Sequence, residues 1–149
     1  MTLAYVGLGA NLGDREASIR AAAELIGAQR LSTIYETEPW GGIEQPDFLN
    51  AAAEVETDVG ARPLLDRLLE VEQALGRVRD GTRWGPRIID LDLLVYGAET
   101  SDTPGLTLPH PRLHERLFVL VPFAELAPDL VVPGRGTVAD LLSKLQSRP

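Results

Sequence analysis

The chain has 149 residues, 44% of them hydrophobic and 24% charged, which is the make-up of one globular domain spanning 1–149 and excludes long disorder. Twenty-two acidic residues against fourteen basic ones leave a formal charge of −8, the wrong sign for a general binder of nucleic acid or of an anionic membrane. The absence of cysteine excludes disulfides, thiolate metal sites and a cysteine nucleophile, and with neither a basic leader nor a long apolar run the expectation is a cytoplasmic, monomeric protein with small-molecule partners.

Leu3–Leu8 reads as an apolar strand, followed by Asp14 as N-cap of an Ala-rich helix over about 15–27. Its glycines, Gly7, Gly9 and Gly13, follow G-x-G-x-x-x-G, one residue longer than a dinucleotide-binding fingerprint, and a tight turn or mobile loop is the preferred reading. A second strand is expected over 31–37, rich in β-branched residues, then a Pro/Gly loop over 39–47, then a third strand over Phe48–Glu56. Pro63 suits the first turn of a second helix that runs to about Leu75 and is closed by Gly76. The polar stretch RVRDGTRWGPR leads into a strand over Ile88–Tyr96. Residues 97–112 read as turns and irregular chain, Leu113–Leu126 as a helix strained by Pro122, Leu130–Val132 as a short strand, and Val138–Leu145 as a helix capped by Thr137. The order β-α-β-β-α-β with a helical tail predicts an α+β fold, a ferredoxin-like antiparallel sheet packed with helices in a single domain.

Asp90 and Asp92 alternate with apolar neighbours on the last core strand, so their carboxylates share one face while Ile89, Leu91, Leu93 and Val95 share the other. Two like charges side by side fit either a solvated strand face or a site for a hard divalent cation completed by substrate phosphates. The eleven residues before this strand hold Arg77, Arg79, Arg83 and Arg87 against one acid, Asp80. Guanidinium groups recognise phosphate in bidentate fashion, and Trp84 with Gly81, Gly85 and Pro86 suggests a loop that closes on its ligand. An exposed basic loop that neutralises nearby acids is the plainer alternative. Glu72 falls on the apolar stripe of Leu65, Leu68 and Leu69, which calls for a partner or a role. His110 and His114 are four apart, but Pro109 and Pro111 argue against a shared helical face for a metal. Phe48 and Phe118 fit the core or the two sides of a slot for a flat heterocycle.

Taken in order, Y5-V-G-L-G-A-N-L-G13, Y35-E-T-E-P39, Q45-P-D-F-L-N-A-A52, G76-R-V-R79, R83-W-G-P-R-I-I-D-L-D-L-L94 and L108-P-H110 resemble the 6-hydroxymethyl-7,8-dihydropterin pyrophosphokinase family over about residues 3–133. The resemblance implies transfer of pyrophosphate from ATP to the hydroxymethyl group of a reduced pterin, with AMP released, in folate biosynthesis. It implies two Mg²⁺ ions held by Asp90 and Asp92, with Arg77 and Arg87 supplying transition-state charge. It also implies an ATP side formed by Glu72, Arg79, Arg83, Trp84, Thr107, His110 and Arg116. The pterin side would comprise Thr37, Pro39, Trp40, Phe48, Asn50 and Phe118, with Phe48 standing where the family often has Tyr. Two further readings are a noncatalytic ferredoxin-like binding module, which leaves the Asp pair and the arginines unused, and a two-metal phosphohydrolase or nuclease, against which the negative charge speaks.

Overall fold

In the computed structural model, residues 1–11, 13–37, 48–76 and 89–147 are described. The central sheet is antiparallel, in the order β2 (Arg30–Leu31), β4 (Phe48–Thr57), β1 (Thr2–Ala10), β5 (Asp90–Tyr96), with β3 (Tyr35–Thr37) also paired to β4. Because β4 lies between β1 and β2, the first β-α-β unit is split, as the element order predicts.

Period-two alternation divides β1 and β4 between two cores. Ala4, Val6, Leu8 and Ala10 of β1, with Ala51, Ala53 and Val55 of β4, face α1 (Arg15–Leu25) and α2 (Ala61–Gly76). Tyr5 and Ala52 face the opposite way, into a second core with Val119, Leu120 and Phe123 of α3 (Leu117–Leu126) and Val138 and Leu141 of α4 (Val138–Gln146). The helical tail therefore forms a third layer, covering the sheet face that a two-layer sandwich leaves to solvent. The buried face of α2 is Ala61, Leu64, Leu68 and Val71, and Leu69 of the expected stripe is 47% exposed.

Several boundaries differ from the sequence reading for local reasons. Gly7 and Gly9 lie inside β1, which extends to Ala10, and only Gly13 of that motif has left-handed backbone, at φ 65°. The tight turn or mobile loop expected for the motif is thus confined to its last residues. Helix α1 begins as expected, with the Asp14 carboxylate accepting from the Ala17 N–H at 3.1 Å, but stops at Leu25 because Gly27 turns left-handed at φ 76°. The expected strand 31–37 is interrupted at Ser32, whose hydroxyl accepts from the Ala52 N–H at 2.9 Å in place of a backbone carbonyl. Strand β5 carries an irregularity opposite Tyr5 and Val6, so Leu93 faces the first core while Leu94 and Val95 both enter the second. Val95 does not share the face of Leu91 and Leu93.

Residues 97–112 are more ordered than expected: β6 (Ser101–Thr103) and β7 (Leu106–Leu108) form a hairpin around Pro104 and Gly105, the latter at φ 78°. The Leu108–Pro109 peptide bond is cis. The expected helix 113–126 is a single 3-10 turn, Leu113–Glu115, then extended backbone at Arg116, then α3, which accommodates Pro122 as a buried residue. Val131–Val132 (β8) pairs with Gly136–Thr137 (β9), and Thr137 caps α4 by accepting from the Asp140 N–H at 3.1 Å. No helix among the described residues is long and apolar enough to cross a membrane.

Candidate active site

The third layer leaves part of the sheet face it covers open, and the register shows what is displayed there. Directly opposed residues on neighbouring strands share a face. One row reads Tyr35 on β3, Asn50 on β4, Gly9 on β1 and Asp90 on β5; the next reads Ala52, Gly7 and Asp92. The two glycines lie between the amide side and the carboxylate side, and a strand residue without a side chain leaves the floor bare for a ligand. A cleft of about 1100 Å³ stands over this floor. Phe48, Asn50, Asp90, Asp92 and Glu72 line its sheet side, and Arg112, Glu115, Arg116, Leu117 and Phe118 line the wall made by the 3-10 turn and the start of α3.

The carboxylates of Asp90 and Asp92 both reach this cleft, and neither residue is fully buried. Paired hard oxygen donors on an open floor match Mg²⁺, which takes one or two carboxylates and completes its shell with water and phosphate oxygens. Among the described residues no group of three or more His, Cys, Asp and Glu side chains gathers as a metal cage. Two carboxylates leave the rest of an octahedral shell to water and phosphate oxygens. Between the two aspartates, the backbone N–H of Leu91 donates to Glu72 Oε2 at 2.8 Å. Glu72 thus has the partner that its place on α2 demands, and it ties that helix to the strand at the Asp pair.

His110 approaches from the other side. Its backbone N–H donates to the Leu94 carbonyl at 2.8 Å, its Nδ1 accepts from the Arg112 N–H at 3.2 Å, and its Nε2 stands 3.8 Å from Asp92 Oδ1. An Nδ1 that accepts leaves the proton on Nε2, facing the carboxylate. Burial holds His110 below the usual histidine range, with Asp92 opposing that shift and Arg116 and Arg112 adding to it. His114 does not join it: its Nε2 lies 3.6 Å from Glu115 Oε1.

Asn50 is 6% exposed, and its Oδ1 lies over the backbone of Gly9 so closely that a Cβ there would be 3.2 Å away. Phe118 is partly buried, with the Arg116 guanidinium carbon 5.6 Å from its ring centroid. The structure thus brings Phe48, Asn50, Glu72, Asp90, Asp92, Arg116 and Phe118 to one cleft, with His110 at Asp92. Thr107 is exposed on the β6–β7 hairpin and does not line the cleft, and Thr37 pairs through its backbone with Phe48. Pro39, Trp40, Arg77, Arg79, Arg83, Trp84 and Arg87 lie outside the described residues. Sequence reasoning missed Gly7 and Gly9 as the floor, although glycines two apart in an apolar strand must share a face. It also missed Arg112, Glu115 and Leu117, which carry no such local signal.

Residues 5–128 match the family model for 7,8-dihydro-6-hydroxymethylpterin-pyrophosphokinase. A 2-amino-4-hydroxy-6-hydroxymethyldihydropteridine pyrophosphokinase of Methylorubrum extorquens is 49% identical over 152 residues, covering 97% of this chain and 94% of that protein. The Bacillus subtilis protein of the same name is 45% identical over 130 residues, covering 83% of this chain and 77% of its own length. Among solved structures, Plasmodium falciparum HPPK-DHPS wild type with pteroate superposes with a TM-score of 0.71 at 16% identity over 99% of this chain, which speaks for the fold. This chain spans only 43% of that one. The chain belongs to the 7,8-dihydro-6-hydroxymethylpterin-pyrophosphokinase family.

Proposed function

We propose that the cleft between the Gly7–Gly9 floor and the start of α3 is where this chain carries out its family's reaction, with the assignment of individual residues as follows. The chain is an ATP-dependent diphosphotransferase: it moves pyrophosphate from ATP to the hydroxymethyl group of 6-hydroxymethyl-7,8-dihydropterin, releasing AMP. The hydroxymethyl oxygen forms a bond to the β-phosphorus and gives up its proton to water, the bond from that phosphorus to the α-phosphate oxygen breaks, and AMP leaves. Such a transfer asks the protein chiefly for alignment and for positive charge around the phosphates.

The observation that carries the reading is the row Asn50, Gly9, Asp90, which sets an amide and a carboxylate on either side of a bare strand. Asn50 offers both donor and acceptor to the edge of a pterin, while Phe48 and Phe118 offer faces for its ring. Thr37, Pro39 and Trp40 are assigned to the same side on the family resemblance. Asp90 and Asp92 would hold two Mg²⁺ ions, which when bound neutralise triphosphate charge and polarise the β-phosphorus. Arg116 lines the ATP side of the cleft, and His110 directs its Nε2–H toward Asp92. Glu72 holds the strand between the aspartates while its position at the rim also suits the nucleotide. The arginines of the 77–87 stretch, Arg77, Arg79, Arg83 and Arg87, together with Trp84, are assigned to the triphosphate, and Thr107 to the nucleotide, on the same resemblance. The acting species is a monomer.

The test is to incubate the protein with ATP, Mg²⁺ and 6-hydroxymethyl-7,8-dihydropterin and to resolve the nucleotides. AMP formed one-for-one with a diphosphorylated pterin, and only when pterin is present, is the expected result. ADP as product, or nucleotide turnover indifferent to pterin, would overturn the reading.

A further inference from the structure

Helix α3 is tied to the sheet at the end remote from the cleft. In its last turn, Glu125 Oε1 accepts from the Tyr35 hydroxyl at 2.6 Å and Glu125 Oε2 accepts from the Thr33 N–H at 2.9 Å. Arg30 adds a bond from its guanidinium to the Leu126 carbonyl at 2.9 Å. Two of these donors are carried by β3 and the segment just before it. Tyr35 is the register partner of Asn50, and Thr37 that of Phe48. The first turn of α3 carries Phe118 into the cleft. Glu125 lies seven residues after Phe118, two helical turns along the same side of α3 and about 10 Å away. One carboxylate therefore joins the helix that presents one wall of the pterin slot to the strand that is paired with the other.

Resting on the pterin assignment above, we infer that Glu125 and Tyr35 are a positioning pair that sets the height of α3, and with it Phe118, over Asn50 and Phe48, and so governs pterin affinity without touching substrate. A bidentate carboxylate that receives a hydroxyl and a backbone N–H fixes direction as well as distance. The Tyr35 hydroxyl, together with Thr33, also holds the Glu125 carboxyl below its usual range, so the charged acceptor is the form present at neutral pH. Of the groups assigned to the nucleotide, Asp90, Asp92 and Glu72 belong to β5 and α2, which the tie does not reach, while Arg116 stands at the N-cap of α3.

Glu125→Ala and Tyr35→Phe are compared with the parent enzyme for pterin KM, ATP KM, kcat and thermal midpoint, with Phe118→Ala as a control for the slot itself. Glu125→Ala is expected to raise pterin KM roughly threefold to tenfold, the scale of one lost hydrogen-bonded tie, while ATP KM and kcat at saturating pterin stay within about twofold. Tyr35→Phe, which removes only the hydroxyl, is expected to shift pterin KM in the same direction and keeps the test alive if Glu125→Ala does not fold. A merely structural role would lower the thermal midpoint with pterin KM unmoved, or raise both KM values together, and either result overturns the proposal. If Phe118→Ala raises pterin KM while neither tie variant does, the tie fails and the slot stands. If Phe118→Ala leaves pterin KM unchanged, the slot assignment fails and this proposal with it.

Discussion

Glu72 on α2 accepts the backbone N–H of Leu91 at 2.8 Å, at the one residue that separates Asp90 from Asp92. Among the described strands β5 is at the sheet edge, so this N–H points away from β1 and would otherwise look to solvent. A helix carboxylate thus takes the place of a missing strand where the Asp pair must be held. Glu72→Ala is expected to cost about 1–2 kcal/mol of stability, and Glu72→Gln, which keeps an acceptor oxygen, much less. Urea unfolding of the two variants checks this. Equal losses in both would mean that the negative charge, and not the bond to Leu91, is what the site uses.

Asp90 and Asp92 project into one cleft as like charges two residues apart. Asn keeps the size and shape of Asp, so Asp90→Asn and Asp92→Asn are expected to fold with thermal midpoints close to the parent's while losing at least about a hundredfold in turnover. Parallel melting curves and AMP assays measure both quantities. Near-parental rates in either variant would remove that aspartate from the cation site.

The two glycines of the floor make different demands. A Cβ on Gly9 would lie 3.2 Å from Asn50 Oδ1, whereas one on Gly7 would first meet a Leu94 methyl at 3.5 Å, an ordinary contact with a flexible side chain. Gly9→Ala is expected to raise pterin KM about tenfold by displacing the amide, since small misplacements of a binding group are costly. Gly7→Ala should leave it within about twofold. Steady-state kinetics on the pair separate the positions, and equal effects would show that the floor needs space in general and not the setting of Asn50.

Behind the cleft, the Tyr5 hydroxyl donates to Glu54 Oε2 at 2.7 Å, and the Arg30 guanidinium donates to the same carboxylate at 2.6 Å. Burial, with the Glu54 carboxylate beside it, pushes the Tyr5 hydroxyl from 10.0 up to about 12. A group held protonated in the folded state stabilises fully below its unfolded value, so this contribution is complete below pH 10 and is lost as pH rises from 10 toward 12. Tyr5→Phe is expected to cost about 1–2 kcal/mol near neutrality and to show a shallower fall in stability across that window. Denaturant titrations at pH 8 to 12 test the slope. Identical slopes for parent and variant would contradict the shift.

The D-x-D of β5 made the shared face of Asp90 and Asp92 readable, because strand periodicity is a local property of the chain. Hairpin β6–β7 also had a local signal in Thr103-Pro104-Gly105, which sequence reasoning placed within turns and irregular chain without naming a hairpin. The change of side at Leu94 and Val95 was not readable in this way. It arises from the pairing of β5 with Tyr5 and Val6, residues from the far end of the chain.

The sequence by itself determined the split β-α-β order, the paired carboxylates, the arginine-rich stretch before them and the family, since each is a matter of residue type and spacing along the chain. Only the tertiary structure decided that the tail helices cover the second sheet face, that Gly7 and Gly9 become the floor between Asn50 and Asp90, and that Glu72 ties α2 to β5 while Glu125 ties α3 to Tyr35. Those are contacts between segments far apart in sequence. They follow from which apolar faces find one another and which unpaired N–H groups remain for a side chain to take, and neither is written in any one stretch of the chain.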